Sequence, residues 1–435
     1  MQFVFREKTL NSFRFFVQLL RMRLLVFTFY SFILFFNRLS AQNDSTIFYP
    51  FIKYEYNYLT GCDTSKTFDD FWYKYDSLLK HKNFQINIVH FGGSHLQADI
   101  YSNYMRRSLQ LLDDSLTGSR GMVFPFKLAD TNNPSNYEVS FTGKWQGHRS
   151  SVNSHNANWG VSGITVTTRD SSASIKYTFN KASVPVSFTR VRVFCNYASN
   201  NYDLHVGNPS VLAGVKAEKS DSYILYRFKQ PIDSLELFLF KTDADTSQFE
   251  LYGVVLENDF PGFVYHAIGV NGSSFSSFQK CKMFQQQLKY LNPDVAIVSI
   301  GTNDSFDPDF DSLKYESNYE DFILKIKQVN PKCALLLTVP NDSYAKRKYH
   351  NKNTEVIQRV IERLANKYDA KVWDFFTIMG GNYSAKKWKA ADLMKDDLIH
   401  FTKEGYLQKG KLLFDAFMGE YYHWIEKHKY QNSEK

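Results

Sequence analysis

The sequence predicts an α/β protein, a three-layer α/β/α sandwich built on a parallel sheet, interrupted by a β-sandwich of jelly-roll type. In the N-terminal and C-terminal regions, short apolar runs alternate with amphipathic stretches. Strands joined by helices pair in parallel and are covered on both faces. Between Tyr137 and Asn258 the writing changes to short β-type runs separated by Asn, Ser, Gly, Asp and Pro, which is the spacing of a separate sandwich.

The first element is not part of the fold. Arg6, Lys8, Arg14, Arg21 and Arg23 precede a 13-residue apolar run from Leu24 to Phe36, and "NRLSAQ" comes after it. A basic leader, an apolar segment too short to span a bilayer comfortably and a small residue at Ala41 make an export signal over 1–41. An uncleaved anchor is the competing reading, and only that reading brings in a membrane.

The layered part begins at 42–132. "KTFDDFWYKYDSLLKHK", from Lys66 to Lys82, has helical apolar spacing, and "INIVHF", from Ile86 to Phe91, reads as a buried strand. In the insert, 133–260, the β-type runs are "YEVSFTGKW", "GITVTTR", "ASIKYTF", "PVSFTRVRVFCNY", "YDLHVG", "YILYRFK", "SLELFLF" and "FELYGVVLE". The second layered part, 261–435, opens on the extended "GFVYH" and a helix "FQKCKMFQQQLKYL" ending at Asn292-Pro293. The strand "DVAIVSI", the helix "YEDFILKIKQV" and the strand "CALLLTV" come next. "TEVIQRVIERLANKY" then reads as helix, "AKVWDFF" as extended, and "TKEGYLQKGKLLFDAFMGEYYHWIEKH" as the closing helix.

Composition narrows the function classes. The chain has 435 residues and is 43% hydrophobic, enough for a large core. Residues 1–41 hold six basic and one acidic side chain, supplying +5 of the net +8 and leaving +3. The remainder shows no Lys/Arg stripe with interleaved aromatics, so nucleic acid is set aside as a partner. Cys62, Cys195, Cys281 and Cys333 have no zinc spacing; an exported chain can pair them, and the sequence does not say how.

In open parallel sheets, ligands collect at the carboxyl ends of the strands. Three stretches fall there: "FGGSHLQ" with Ser94, "AIGVNGSSF" with Gly272, and "SIGTND" with Asn303. A serine becomes a nucleophile when a base takes its proton and an acid orients that base. "KDDLIHFTKEGY" offers both, since a carboxylate at Asp397 reaches one ring nitrogen of His400 three residues on. The Gly272 N–H and the Asn303 amide would donate to a developing oxyanion. Each feature also has a plainer reading. Ser94 sits in a Gly-rich turn, Asn303 can bond its own turn, and Asp304 can brace that loop. Gly272 can serve a positive φ alone, with Gly269 competing for the oxyanion role. Asp396 neighbours Asp397, and Thr402 can cap the last helix. His90, His95 and His266 suggest metal with His400, but no ligand spacing repeats. Trp145, Trp159, Tyr197 and Tyr202 can stack on sugars or fill the sandwich core.

Together these blocks resemble the SGNH hydrolases, the GDSL esterase superfamily, in the family's order. "GGSHLQ" is similar to the first block, "GVNGSS" to the second, "GTND" to the third and "DDLIHFTKEGY" to the fifth. The resemblance implies a flavodoxin-like sandwich with Ser94 as nucleophile, Asp397 and His400 completing a triad, and Ser94, Gly272 and Asn303 as the oxyanion hole. It implies no metal and no cofactor. Gly93 stands where the family usually has Asp, which puts the support of the turn in doubt. The "GxSH" block followed by a β-rich insert resembles the bacterial peptidoglycan O-acetylesterases, whose inserted domain is like a carbohydrate-binding module. The implied function is an exported serine esterase, periplasmic or extracellular, acting on acetylated polysaccharide or peptidoglycan. A polysaccharide O-acetyltransferase with the same triad, or an impaired glycan-binding protein, are the alternatives. The oligomeric state is not legible.

Overall fold

The computed structural model describes residues 47–62, 64–179, 186–207 and 215–433. The expected export segment 1–41 lies outside them. Among the described residues, the sheets, the helices and the candidate site all lie in one compact unit, Phe51–Lys435.

The sheet that positions the candidate site has six strands among the described residues: β1 (Leu59–Gly61), β2 (Gln85–Gly92), β3 (Gly262–Gly269), β4 (Val295–Ser299), β5 (Ala334–Thr338) and β6 (Lys371–Trp373). Their order is β1-β6-β5-β4-β2-β3, parallel except for the edge strand β1, which runs antiparallel to β6. β2 lies between β3 and β4, and from Ile88 to Gly92 it is buried on both faces, as a central parallel strand requires. Helix Lys66–His81 starts where Ser65 Oγ accepts from the Phe68 N–H at 3.2 Å and stops at Lys82, whose φ of 50° no helix continues. It buries Phe68, Phe71, Trp72, Tyr75 and Leu78, the stripe its spacing predicts.

Two elements differ from expectation. The extended run ends at Trp373, because Asp374 Oδ1 accepts from the Thr377 N–H at 3.1 Å and caps a short helix, Phe375–Ile378. The helix expected after β3 is two, Phe275–Gln279 and Phe284–Leu291, interrupted at 280–283.

Each of the eight β-type runs of the insert contains a strand. Tyr137–Thr142, Ser172–Phe179, Ser234–Lys241 and Tyr202–Gly207 make one sheet. The facing sheet of seven adds Gln146–Arg149, Lys216–Ser220 and Gly121–Val123, the last contributed from before residue 133. Trp159 and Tyr202 are buried, and Trp145 and Tyr197 pack partly exposed against the same core. One buried apolar cluster runs from Phe91 and Phe284 in the layered part to Val193 and Leu251 in the sandwich, so the insert shares a core with its host.

A buried ion cluster pins their junction. Asp99 accepts from Arg106 at 3.1 Å, Arg120 at 2.7 Å and Asn136 at 2.8 Å. Burial alone would raise its carboxyl, but the two guanidinium groups outweigh that and hold it well below the usual range. All four cysteines are free, with Cys195, Cys281 and Cys333 buried.

Candidate active site

Gly269, Gly92 and Ser299 end β3, β2 and β4 side by side in register. The three loops beyond them carry Gly272, Ser94 and Asn303, so topology alone gathers residues from distant parts of the chain. A Cβ on Gly92 would lie 2.8 Å from Leu96 Cβ, and one on Gly269 2.2 Å from the Gln97 N. Both glycines let helix Ser94–Gln97 sit directly on the strand ends. Gly269 is thus part of the strand packing, whereas Gly272 stands in a turn at φ 80°.

Ser94 Oγ is 2.8 Å from His400 Nε2, and His400 Nδ1 is 2.8 Å from Asp397 Oδ2. Asp397 Oδ1 also accepts from the Ile399 and His400 N–H groups, each at 2.9 Å. Burial pushes this carboxyl up, but the hydrogen bonds from His400 and Ile399 outweigh it and leave it below its ordinary value. The tight loop passes through Leu398 at φ 55°, a left-handed position rarely taken by a branched residue. Asp396 instead points outward and pairs with Lys389 at 3.0 Å.

Asn303 Nδ2 donates to Ser273 O at 2.8 Å and would lie 3.3 Å from a Cβ on Gly93. Its second amide hydrogen has no acceptor among the described residues. The backbone N–H groups of Ser94 and Gly272 have no acceptor among the described residues. The loops beyond β2, β3 and β4 thus each carry a donor without an acceptor among the described residues, the kind of group an oxyanion needs.

Two supports, Gln97 and Ser151, carried no readable signal, whereas Asp304 is the residue the sequence offered as a brace. Gln97 Oε1 accepts from the Asn271 N–H at 2.7 Å while its amide donates to Thr131 Oγ1 and Asn132 O. The insert reaches the site through Ser151, whose hydroxyl donates to Asn271 O at 2.7 Å and faces Gly272. Asp304 Oδ1 accepts from the Phe275 N–H at 3.1 Å, and Oδ2 is shut from solvent without a partner. Burial pushes this carboxyl up to about 7.

The other histidines go elsewhere. His90 lies between Tyr265 and Ser299, each at 2.7 Å, and His95 bonds Tyr406 at 3.0 Å behind the His400 ring. His266 is buried, and desolvation pushes it down to about 3. Among the described residues no cluster of three or more His, Cys, Asp or Glu is arranged to hold a metal ion.

Residues 241–407 match the GDSL-like lipase/acylhydrolase family, a span that holds Gly272, Asn303, Asp397 and His400 but stops short of Ser94. Among solved structures, a peptidoglycan O-acetylesterase superposes with a TM-score of 0.69 at 20% identity, covering 84% of this chain and 99% of its own. An acetyl xylan esterase gives 0.30 at 17% identity over 35% and 81%. A family two carbohydrate esterase from Cellvibrio japonicus gives 0.29 at 11% over 66% and 99%. No curated protein matches the chain in sequence.

Proposed function

We propose, from the premise that this chain belongs to the SGNH/GDSL hydrolase superfamily, that it removes O-acetyl groups from peptidoglycan or another polysaccharide outside the cytoplasm. The observation that carries the reading is the relay from Ser94 through His400 to Asp397, two contacts of 2.8 Å at the strand ends. His400 Nε2 takes the Ser94 proton as Oγ attacks the acetyl carbonyl. Asp397 fixes the tautomer and ring orientation. The Ser94 and Gly272 N–H groups and the Asn303 amide receive the oxyanion, His400 returns the proton to the departing sugar hydroxyl, and water then releases acetate from Ser94. The likeness to a peptidoglycan O-acetylesterase over nearly its whole length supports the choice of polymer, and the basic, apolar N-terminal segment supports export.

The intact relay speaks against a decayed site, because Gly93 leaves every contact in place. The test is Ser94→Ala. Hydrolysis of a small acetyl ester and the acetyl adduct seen by mass spectrometry after incubation with acetylated cell-wall fragments should both vanish, with thermal unfolding unchanged. Unchanged hydrolysis would overturn the site. Efficient acetyl transfer to added oligosaccharide without release of acetate would replace the esterase with a transferase.

A further inference from the structure

A short hairpin, Tyr344–Ala345 paired with Tyr349–His350, turns through Lys346 and Arg347 at φ 51° and 61° and exposes both with Lys348. Its base is locked to helix Ser384–Ala390. Asp342, wholly buried, accepts from His350 Nε2 at 2.7 Å and from the Ala385 N–H at 2.9 Å. The His350 ring stacks on Tyr383 at 4.4 Å, and the Lys386 ammonium lies over Tyr344 at 5.1 Å. Hairpin and helix therefore form one block.

That block is strongly cationic. Residues 342–352 and 383–396 hold eight basic and three acidic side chains. Of the acidic ones, Asp342 points inward and Asp396 is taken by Lys389. Lys346, Arg347, Lys348, Lys386 and Lys387 are exposed and make no ion pair among the described residues. Such unpaired like charges raise the local concentration of an anion. The large apolar groups exposed in the block are Tyr349 and Tyr383. Tyrosine faces suit the flat face of a sugar ring better than the acyl interior of a bilayer, where aliphatic side chains would insert.

The block is also bonded to the catalytic loop. The Tyr344 N–H donates to Leu398 O at 3.1 Å, and Asn341 Nδ2 to Ile399 O at 3.3 Å, both between Asp397 and His400. We infer that it is a docking surface for a carboxylate-bearing glycan, gripping the polymer beside the residue whose ester enters the site. This rests on the esterase reading above.

The test uses Lys346→Ser/Arg347→Ser/Lys348→Ser and, separately, Lys386→Ser/Lys387→Ser. Each is assayed on O-acetylated polygalacturonate, neutral acetylated xylan and 4-nitrophenyl acetate. At low salt the triple variant should raise KM on the polyuronate by about tenfold, and 0.5 M NaCl should do the same to the unaltered protein, as screening at about one Debye length requires. Rates on xylan and the small ester should not move. An unchanged KM on the polyuronate, or an equal loss on all three substrates, overturns the docking surface. Calorimetry with deacetylated polygalacturonate, an oligonucleotide and phosphatidylglycerol vesicles reads docking without turnover, and tighter binding of either of the last two also overturns it. A protein that hydrolyses none of the esters refutes the esterase reading, and the calorimetry still decides the surface.

Discussion

Gly93→Ala isolates what the departure from the family's first block does. A Cβ there lands 3.3 Å from Asn303 Nδ2 and 3.8 Å from Ser273 O. The backbone tolerates it, since Gly93 has a φ of −92°. The crowding must be relieved by the amide, which retreats a few tenths of an ångström while its 2.8 Å bond to Ser273 O keeps it from swinging away. Removing an oxyanion donor outright costs about 10²–10³ in kcat. A displaced but tethered donor should lose only a fraction of that, about 1 kcal/mol or about fivefold. Asn303→Ala supplies the full loss for comparison. Initial rates on 4-nitrophenyl acetate over a range of concentrations give kcat and KM for both variants. The expected order is a small drop for Gly93→Ala and a large one for Asn303→Ala, each mainly in kcat. If Gly93→Ala equals Asn303→Ala, or if Asn303→Ala keeps full activity, the placement of the amide at the oxyanion is wrong.

Asp397→Asn keeps an oxygen for the Ile399 and His400 N–H groups but sets an amide against His400 Nδ1, favouring the wrong tautomer. It should cut kcat about 10²- to 10⁴-fold with little change in thermal midpoint, and a loss below about tenfold would sink the orienting role. Asp304→Asn tests the buried carboxyl through pH. Its folded value of about 7 lies above the ordinary one, so the folded chain holds this proton more tightly than the unfolded chain. The stability so gained is complete below about pH 4 and is lost as the pH rises through about 7. The neutral variant should therefore be more stable than the parent at pH 8, by at most about 4 kcal/mol, with the gap closing towards pH 4. Urea unfolding showing the same difference at both pH values would refute this.

The layered fold was legible because its strands are buried on both faces and so read as unbroken apolar runs, and because its helices keep a strict apolar stripe. Lys216–Ser220 was not, since an exposed edge strand is written in Lys, Glu and Ser and lacks the alternation that marks a half-buried one. The helix at Phe375–Ile378 depends on Asp374 as a cap, which its aromatic, strand-like letters conceal. At the candidate site, residue type and position singled out Ser94, Asp397 and His400, which the structure brings into contact, and Gly272 and Asn303, which lie on the neighbouring loops. Two of their supports were not legible. The tether on Asn303 is a backbone carbonyl, which has no letter of its own, and Ser151 meets the Asn271 carbonyl from 120 positions away. The cationic block escaped because its two basic runs, at 346–348 and 386–389, stand about 40 positions apart and are brought together by the Asp342 contacts.

The place of β2 has a consequence for how the molecule comes into being. Its neighbours β3 and β4 both come after the insert, so 170 positions separate Gly92 from the start of β3 at Gly262. At about 5–20 residues per second, this central strand waits about 10–30 s with both edges open. A nascent chain in that interval is a template for wrong pairing. It also displays Ser94 without His400, which arrives 306 residues later. On the proposed mechanism, hydrolysis is thus among the last properties the chain acquires.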